Sequence, residues 1–330
     1  MKVGLIDVDS HNFPNLALMK ISAYHKSKGD EVDWCCPLLH YDIVYTSKVF
    51  GDEYGVMDST IIQADKIIYG GTGFAISIVD GKEVYEKTND GELPFEIEHT
   101  YPDYGLYPEL TKDTAFGFLT RGCPNNCGYC VVSKKEGRES KKVADLTEFW
   151  SGQKNIKLMD ANILACRQHL DLLNQLKDSG ASIDFTQGLD ARFVNENNLK
   201  LLQQMKIKMI HFAFDFMDNK DRIVSGLKLA KEYLNLDDRN SVVYMLTNYD
   251  TNIKDDLWRV KKIGELGYLP DVRIYRKAAL PKRHILRDLQ RWCNNRLLYR
   301  SCNFFDYVPR ADGLAIREIY KDELKDCEVI

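Results

Sequence analysis

Short apolar blocks rich in Val, Ile and Phe alternate with stretches whose apolar residues recur every three or four positions, and this change of period runs through most of the chain. KVGLIDV (2–8) reads as a strand. PNLALMKISAYHKSKGD (14–30) has helical spacing, with Leu16, Met19, Ile21 and Tyr24 on one side and a stop at Gly29. EVDWC (31–35), YDIVYTSKVF (41–50) and DKIIYGG (65–71) read as further strands. Residues 91–113 hold three prolines, two glycines and many acids without clear periodicity, and read as inter-domain chain. From Thr114 the alternation resumes. Strands are expected at 114–120, 155–160, 181–187, 208–215, 241–248 and 271–277, with helices at 161–180, 195–206, 221–234 and 253–267. After Arg276 the chain turns basic and helical.

The fold class these periods predict is α/β. A Rossmann-like domain is expected over 1–100, a linker over 101–113, a six-strand core over 114–277, and a helical C-terminal extension over 278–330. Six strands with intervening helices imply a parallel sheet or a partial (β/α)6 barrel, with the site at the carboxyl strand ends. No internal repeat or low-complexity segment interrupts this.

Composition narrows the function classes. Hydrophobic residues at 44% and charged residues at 28% suit a chain that buries a sizeable core. A net charge of -4 gives no general reason to expect nucleic acid or membrane as a partner. The N-terminus lacks the long apolar stretch of a secretory signal, and nothing approaches the roughly 20 apolar residues of a membrane span. A cytoplasmic location without membrane partners is the expectation.

Nine cysteines, an odd number in a chain without a visible signal, argue for free thiols or metal ligation over a disulfide framework. Three stand close together in GFLTRGCPNNCGYCVVSKKEG (117–137), just after a strand: Cys123, Cys127 and Cys130, spaced C-x3-C-x2-C. Thiolates are the soft ligands that iron–sulfur clusters require. One compact loop can hold three corners of a cubane and leave the fourth iron open. Gly122, Pro124 and Gly128 supply candidate tight turns. A zinc site would want a fourth Cys or His nearby, and none follows closely. Cys35, Cys36, Cys166, Cys293, Cys302 and Cys327 lack such spacing and read as buried structural thiols.

On this spacing, on Tyr129 before the third cysteine, and on the loop's place after the first of six strands, the chain resembles the radical S-adenosylmethionine superfamily over about residues 114–277. The resemblance implies a 4Fe–4S cluster on the three cysteines. It implies S-adenosylmethionine chelated at the open iron and cleaved by one electron to methionine and a 5′-deoxyadenosyl radical, which takes hydrogen from a substrate. The electron would come from a donor such as flavodoxin or ferredoxin. The substrate, and with it the catalytic residues, stays unassigned.

The same resemblance points to cofactor-binding candidates at strand ends. Tyr129 would offer its backbone to the adenine. Asp160 stands where relatives often carry a Gly-Gly-Glu motif, absent here, and reads equally as a helix cap. Arg192 reads as a carboxylate clamp or as an ion pair with a nearby acid. Asp215 ends the fourth strand, where relatives commonly place an acid. Asn248 stands where many relatives carry Gly. Tyr275 and Arg276 end the sixth strand and are candidates for the substrate side.

The first hundred residues resemble the cobalamin-binding domain that precedes the radical module in one subgroup. Asp9-Ser10-His11 follows the first strand, and Gly70-Gly71-Thr72-Gly73 ends a later one. Pro14 replaces the glycine of the cobalt-ligating motif, so a domain kept without cobalamin is the favoured reading and His11 reads as a solvated loop residue or helix cap. From Arg273 to Arg300 nine Lys or Arg face one acid, Asp288, with Trp292 and Tyr299 interleaved. This stretch suits contact with a phosphate-bearing partner such as nucleic acid, or a solvated helix face with its aromatics turned inward. Cobalamin-dependent methyl transfer and nucleic-acid modification therefore stand as alternatives, and an iron–sulfur protein without chemistry is the rival from another class.

Overall fold

The computed structural model describes residues 1–51, 62–79, 82–311 and 313–327. It separates into two compact units, Met1–Lys157 and Leu158–Ile330.

In the first unit, β1 (Lys2–Asp7), α1 (Leu16–Ser27), β2 (Glu31–Trp34), β3 (His40–Ser47) and β4 (Gln63–Gly70) build a parallel four-stranded sheet of order β2-β1-β3-β4. Asn15 starts α1. Its side chain accepts from Leu18 N (3.2 Å) and donates to Ser47 Oγ (2.9 Å), which ties the helix to the end of β3. Val3, Leu5, Leu18 and Ile21 form the buried seam between sheet and helix. Each such side chain contributes roughly 1.5–3 kcal/mol on burial. The expected alternation with helices is only partly present. Strands β2 and β3 flank β1 and are joined by residues 35–39 without a helix. The Tyr41 hydroxyl staples that crossover by accepting from Cys36 N (2.9 Å) and donating to Trp34 O (3.3 Å).

A hairpin of β5 (Ile76–Val79) and β6 (Lys82–Tyr85) is followed by α2 (Phe95–Glu98) and α3 (Pro108–Thr111). These two short helices occupy the stretch read as linker, and it is packed chain. Ile97 joins the core with Val3 and Leu5. Asp103 accepts from Ser22 Oγ (2.7 Å) and Lys26 Nζ (2.6 Å), and the Tyr107 hydroxyl donates to Asp7 (2.6 Å). Composition concealed this because the packing contacts are far apart in sequence. Next come β7 (Thr114–Gly117), β8 (Thr120–Arg121), α4 (Val132–Lys135), β9 (Lys141–Lys142) and β10 (Asn155–Leu158).

The second unit carries α5 (His169–Ser179), β11 (Ser182–Leu189), α6 (Glu196–Leu202), β12 (Lys206–Ala213), α7 (Lys220–Tyr233), β13 (Ser241–Thr247), α8 (Ile253–Glu265) and β14 (Leu269–Ile274). The strands of the second half form one six-stranded sheet of order β14-β13-β12-β11-β10-β7, and β11 to β14 pair in parallel. Helix α5 is shorter than the 161–180 expected. Residues 163–165 form a separate 3-10 turn, and Gly180, at φ +66°, ends the helix as anticipated.

The two faces of β11–β14 differ. Phe185, Ile210, Phe212, Val243, Met245 and Val272 are buried on one face, the side of α7 and α8: Phe214 meets Trp258 of α8 edge-on, and the hydroxyl of Tyr268 donates to Leu227 O of α7 (2.8 Å). The residues between them in sequence are half-exposed. The extension is helical as expected: α9 (Ile285–Cys293), α10 (Arg296–Ser301) and α11 (Ile316–Ile319). It seals the edge of β14, where Asn294 Oδ1 accepts from Val272 N (2.8 Å) and Gln290 Nε2 donates to Val272 O (2.8 Å). Pro270 is tolerated in β14 because an edge strand needs no donor there. No described helix is long and apolar enough to cross a membrane.

Candidate functional site

The cysteine loop belongs to the first unit and is fastened at its feet. The strand expected over 114–120 breaks after Gly117, and a two-residue antiparallel bridge, β8 with β9, closes the excursion. Glu136 holds the near side, accepting from Arg121 Nη1 (2.9 Å) and Gly122 N (2.9 Å), and Cys123 N donates to Gly137 O (3.1 Å). Gly122 is required here: its φ is +86°, and a Cβ would stand 2.2 Å from Glu139 O. Cys130 N donates to Cys127 O (3.0 Å), which folds those two residues into one turn with Tyr129 between them. On the far side, Lys135 of α4 reaches Thr72 Oγ1 (2.6 Å) and Asp90 (3.0 Å).

Cys123, Cys127 and Cys130 are half-exposed. Among the described residues no three His, Cys, Asp or Glu side chains are gathered closely enough to hold a metal ion. Three soft thiols on one anchored loop nevertheless match in kind and number the donor set of a cluster with one open iron. Cys166 and Cys293 are buried, whereas Cys35, Cys36, Cys302 and Cys327 are half-exposed and depart from the buried-thiol reading. Burial pushes the Cys293 thiol well above its ordinary range.

In the second unit the strand ends gather several of the candidates. Asp160 is buried, and the helix that follows starts at His169 behind Gln168, so Asp160 does not cap it. Arg192 forms a two-pronged pair with Asp190, Nε to Oδ1 at 2.8 Å and Nη2 to Oδ2 at 2.7 Å, the ion-pair reading of that residue. Asp215 bridges two strands by accepting from Leu246 N (2.8 Å). Asn248 sits at φ +63° and donates to Tyr275 O (2.8 Å), and Arg276 sits at φ +49°. Non-glycine residues in that region are uncommon, and here they turn the chain sharply off β13 and β14.

Two features of these strand ends go beyond the candidates read from the sequence; of the side chains that build them, only Tyr275 is among those candidates. Arg259 of α8 is fully buried. It donates to Phe214 O (2.6 Å), Asp215 O (2.9 Å), Leu246 O (2.8 Å) and Thr251 Oγ1 (3.0 Å), and pairs with buried Asp256. One guanidinium thus fixes the ends of β12 and β13. Burial pushes the Asp256 carboxyl up, and Arg259 pulls against it. The second feature is aromatic: Phe216, Tyr249 and Tyr275, after three successive strands, form T-shaped pairs with centroids 6.4 and 5.1 Å apart.

The other sequence candidates lie elsewhere. His11 is exposed at φ +29°, followed by Asn12 at +57°. The room at Gly71 and Gly73 is taken by the chain itself, since a Cβ there would meet Lys48 O at 2.2 Å and Phe50 O at 2.0 Å. These glycines let the chain pack closely on itself. In the basic stretch, Trp292 is buried against Tyr299 and Phe304, so its ring cannot stack on a base. Arg296 and Arg300 both pair with Asp238, and Arg273 pairs with Asp271. A cavity of about 750 Å³ is lined by Lys231, Asp238, Tyr268, Tyr299 and Arg300, near the starts of β13 and β14 and away from their carboxyl ends.

No family model matches the chain, and no curated protein matches it.

Proposed function

We propose that the chain is a radical S-adenosylmethionine enzyme acting on a substrate yet to be identified, built on a partial (β/α)6 barrel. The observation that carries this reading is the C-x3-C-x2-C loop directly after the first of six strands that stand in sequential order in one sheet. Sequential order is what repeated strand–helix units give, and such folds use their carboxyl strand ends for chemistry. A bound 4Fe–4S cluster would supply one electron and an open iron for reductive cleavage of S-adenosylmethionine.

The chain's own part is to hold and to shield. Cys123, Cys127 and Cys130 are the proposed ligands, and the Glu136 clamp keeps their loop from fraying at its base. Tyr129 offers backbone groups from the turn between the second and third ligands. In the second unit, Asp160, Asp215 and Asn248 present polar groups at strand ends, and Arg259 fixes the backbone on which Asp215 stands. Arg192 is already neutralised by Asp190, so it would serve as a neutral pair rather than as a lone cation.

Anaerobic reconstitution with iron and sulfide, followed by dithionite and S-adenosylmethionine, tests the reading. The expected outcome is about four irons per chain and release of 5′-deoxyadenosine, with both falling to background in Cys127→Ala. A fully loaded protein that releases no 5′-deoxyadenosine would instead be an iron–sulfur protein without this chemistry.

A further inference from the structure

The other face of β11–β14 carries a row of polar side chains, from buried Asp184 to exposed Arg273, that the reading above leaves unused. Asp184 and Thr186 come from β11, His211 from β12, Tyr244 from β13, and Asp271 and Arg273 from β14. The pairing register sets Ala213 beside Tyr244 and Tyr244 beside Asp271, so these residues lie across neighbouring strands on one side. Their arrangement is built. The His211 ring stacks on Tyr244 at 4.8 Å and 10°, the Arg273 guanidinium lies 5.0 Å from the Tyr244 ring centre, and the Tyr244 hydroxyl donates to Thr186 O (3.3 Å). Strand β11 bulges between Phe185 and Leu189. Gly188, at φ +95°, lies beside the Tyr244 ring, so no side chain fills that spot.

His211 has a defined tautomer. Its Nδ1 is 2.9 Å from Phe185 O, and a carbonyl only accepts, so Nδ1 carries the proton. In the neutral ring Nε2 is then a bare acceptor, and it has no partner among the described residues. The charged groups around it are Asp184, 4.0 Å from Nδ1, with Asp271 and Arg273 beyond. Burial, the largest influence, holds the imidazole below its ordinary 6.5. Arg273 gives Nε and Nη2 to Asp271, and its side chain stays 58% exposed at the rim of this face.

We propose that this face receives the substrate, a water-soluble molecule that presents an O–H or N–H to Nε2 of His211 and an acceptor group to Arg273. An apolar or lipid substrate fits this face poorly, because it would desolvate Nε2 of His211 without giving it a partner. The proposal rests on the radical reading for the reaction, though not for the state of His211.

Two measurements test it separately. In cluster-free protein labelled with [15N]histidine, the resonance lost in His211→Gln should show a protonated Nδ1 and bare Nε2 at neutral pH; a bare Nδ1 or a charged ring overturns the proposal. In the second, reconstituted enzyme is given aqueous or lipid extracts of deuterated native-host cells. Deuterium should enter 5′-deoxyadenosine from the aqueous extract. His211→Gln, which keeps a donor for Phe185 O, should lower that transfer about tenfold, as should Arg273→Met, while unlabelled 5′-deoxyadenosine is still released. Transfer unchanged in both variants, transfer from the lipid extract only, or none from the aqueous extract overturns the proposal. A wild type releasing no 5′-deoxyadenosine overturns the radical reading instead, and the histidine spectrum then decides on His211.

Discussion

His211 couples a single proton to the stability of the fold. Because burial depresses its pKa, the unfolded chain takes up a proton at a higher pH than the folded one. Its contribution is therefore fully present above 6.5, is lost as pH falls from there toward the folded value, and changes no further below it. Calorimetric melting of the wild type should show a lower Tm as pH drops below 6.5, and His211→Gln should flatten that part of the profile. Tyr244, its stacking partner, does not titrate in this range, since burial pushes its phenol up to about 12. A slope unchanged in the variant would place the responsible group elsewhere.

Among the elements, α8 holds more than its own face. Its Arg259 bonds backbone carbonyls of two strand ends, so the helix works as a clamp on the loops after β12 and β13. Removing the guanidinium alone would leave the buried Asp256 carboxyl without its cation, with Thr251 Oγ1 still donating to it (2.7 Å). Arg259→Met should cost about 3–5 kcal/mol in denaturant unfolding, as breaking a buried pair on one side does. Replacing Arg259 and Asp256 together by apolar residues should cost less than Arg259→Met alone. Additive costs would show that the two do not act as a pair. The cap of α8 is independent of this: Asn252 accepts from Asp255 N (3.0 Å) and should hold the first turn in either variant.

For the molecule as a whole, the loop's anchoring predicts its behaviour without metal. The Glu136 clamp, the β8–β9 bridge and Lys135 are all contacts of the chain with itself. Stripping a loaded cluster with a chelator should therefore abolish S-adenosylmethionine cleavage while circular dichroism keeps its folded signature, unlike small zinc domains that unfold without metal. Collapse of that signature would mean that metal, not Glu136, organises the loop. Much of the α/β order was readable beforehand because it rests on local period: each strand of the second half lies within a few residues of its apolar block. The cysteine trio was readable because its spacing is local too. What escaped depends on partners distant in sequence. Ile97 and Asp103 look like linker until they meet Leu5 and Lys26, and Arg259 looks like a surface residue of α8 until Phe214 is beside it. The basic stretch looks free until Asp238 neutralises two of its arginines. Asn294 and Gln290 have one more effect. They occupy Val272 on the outer side of β14, and neighbouring Pro270 has no N–H to offer, so another extended chain finds few rungs on which to lengthen this sheet, and the molecule is guarded on that flank against fibrous growth with its own kind.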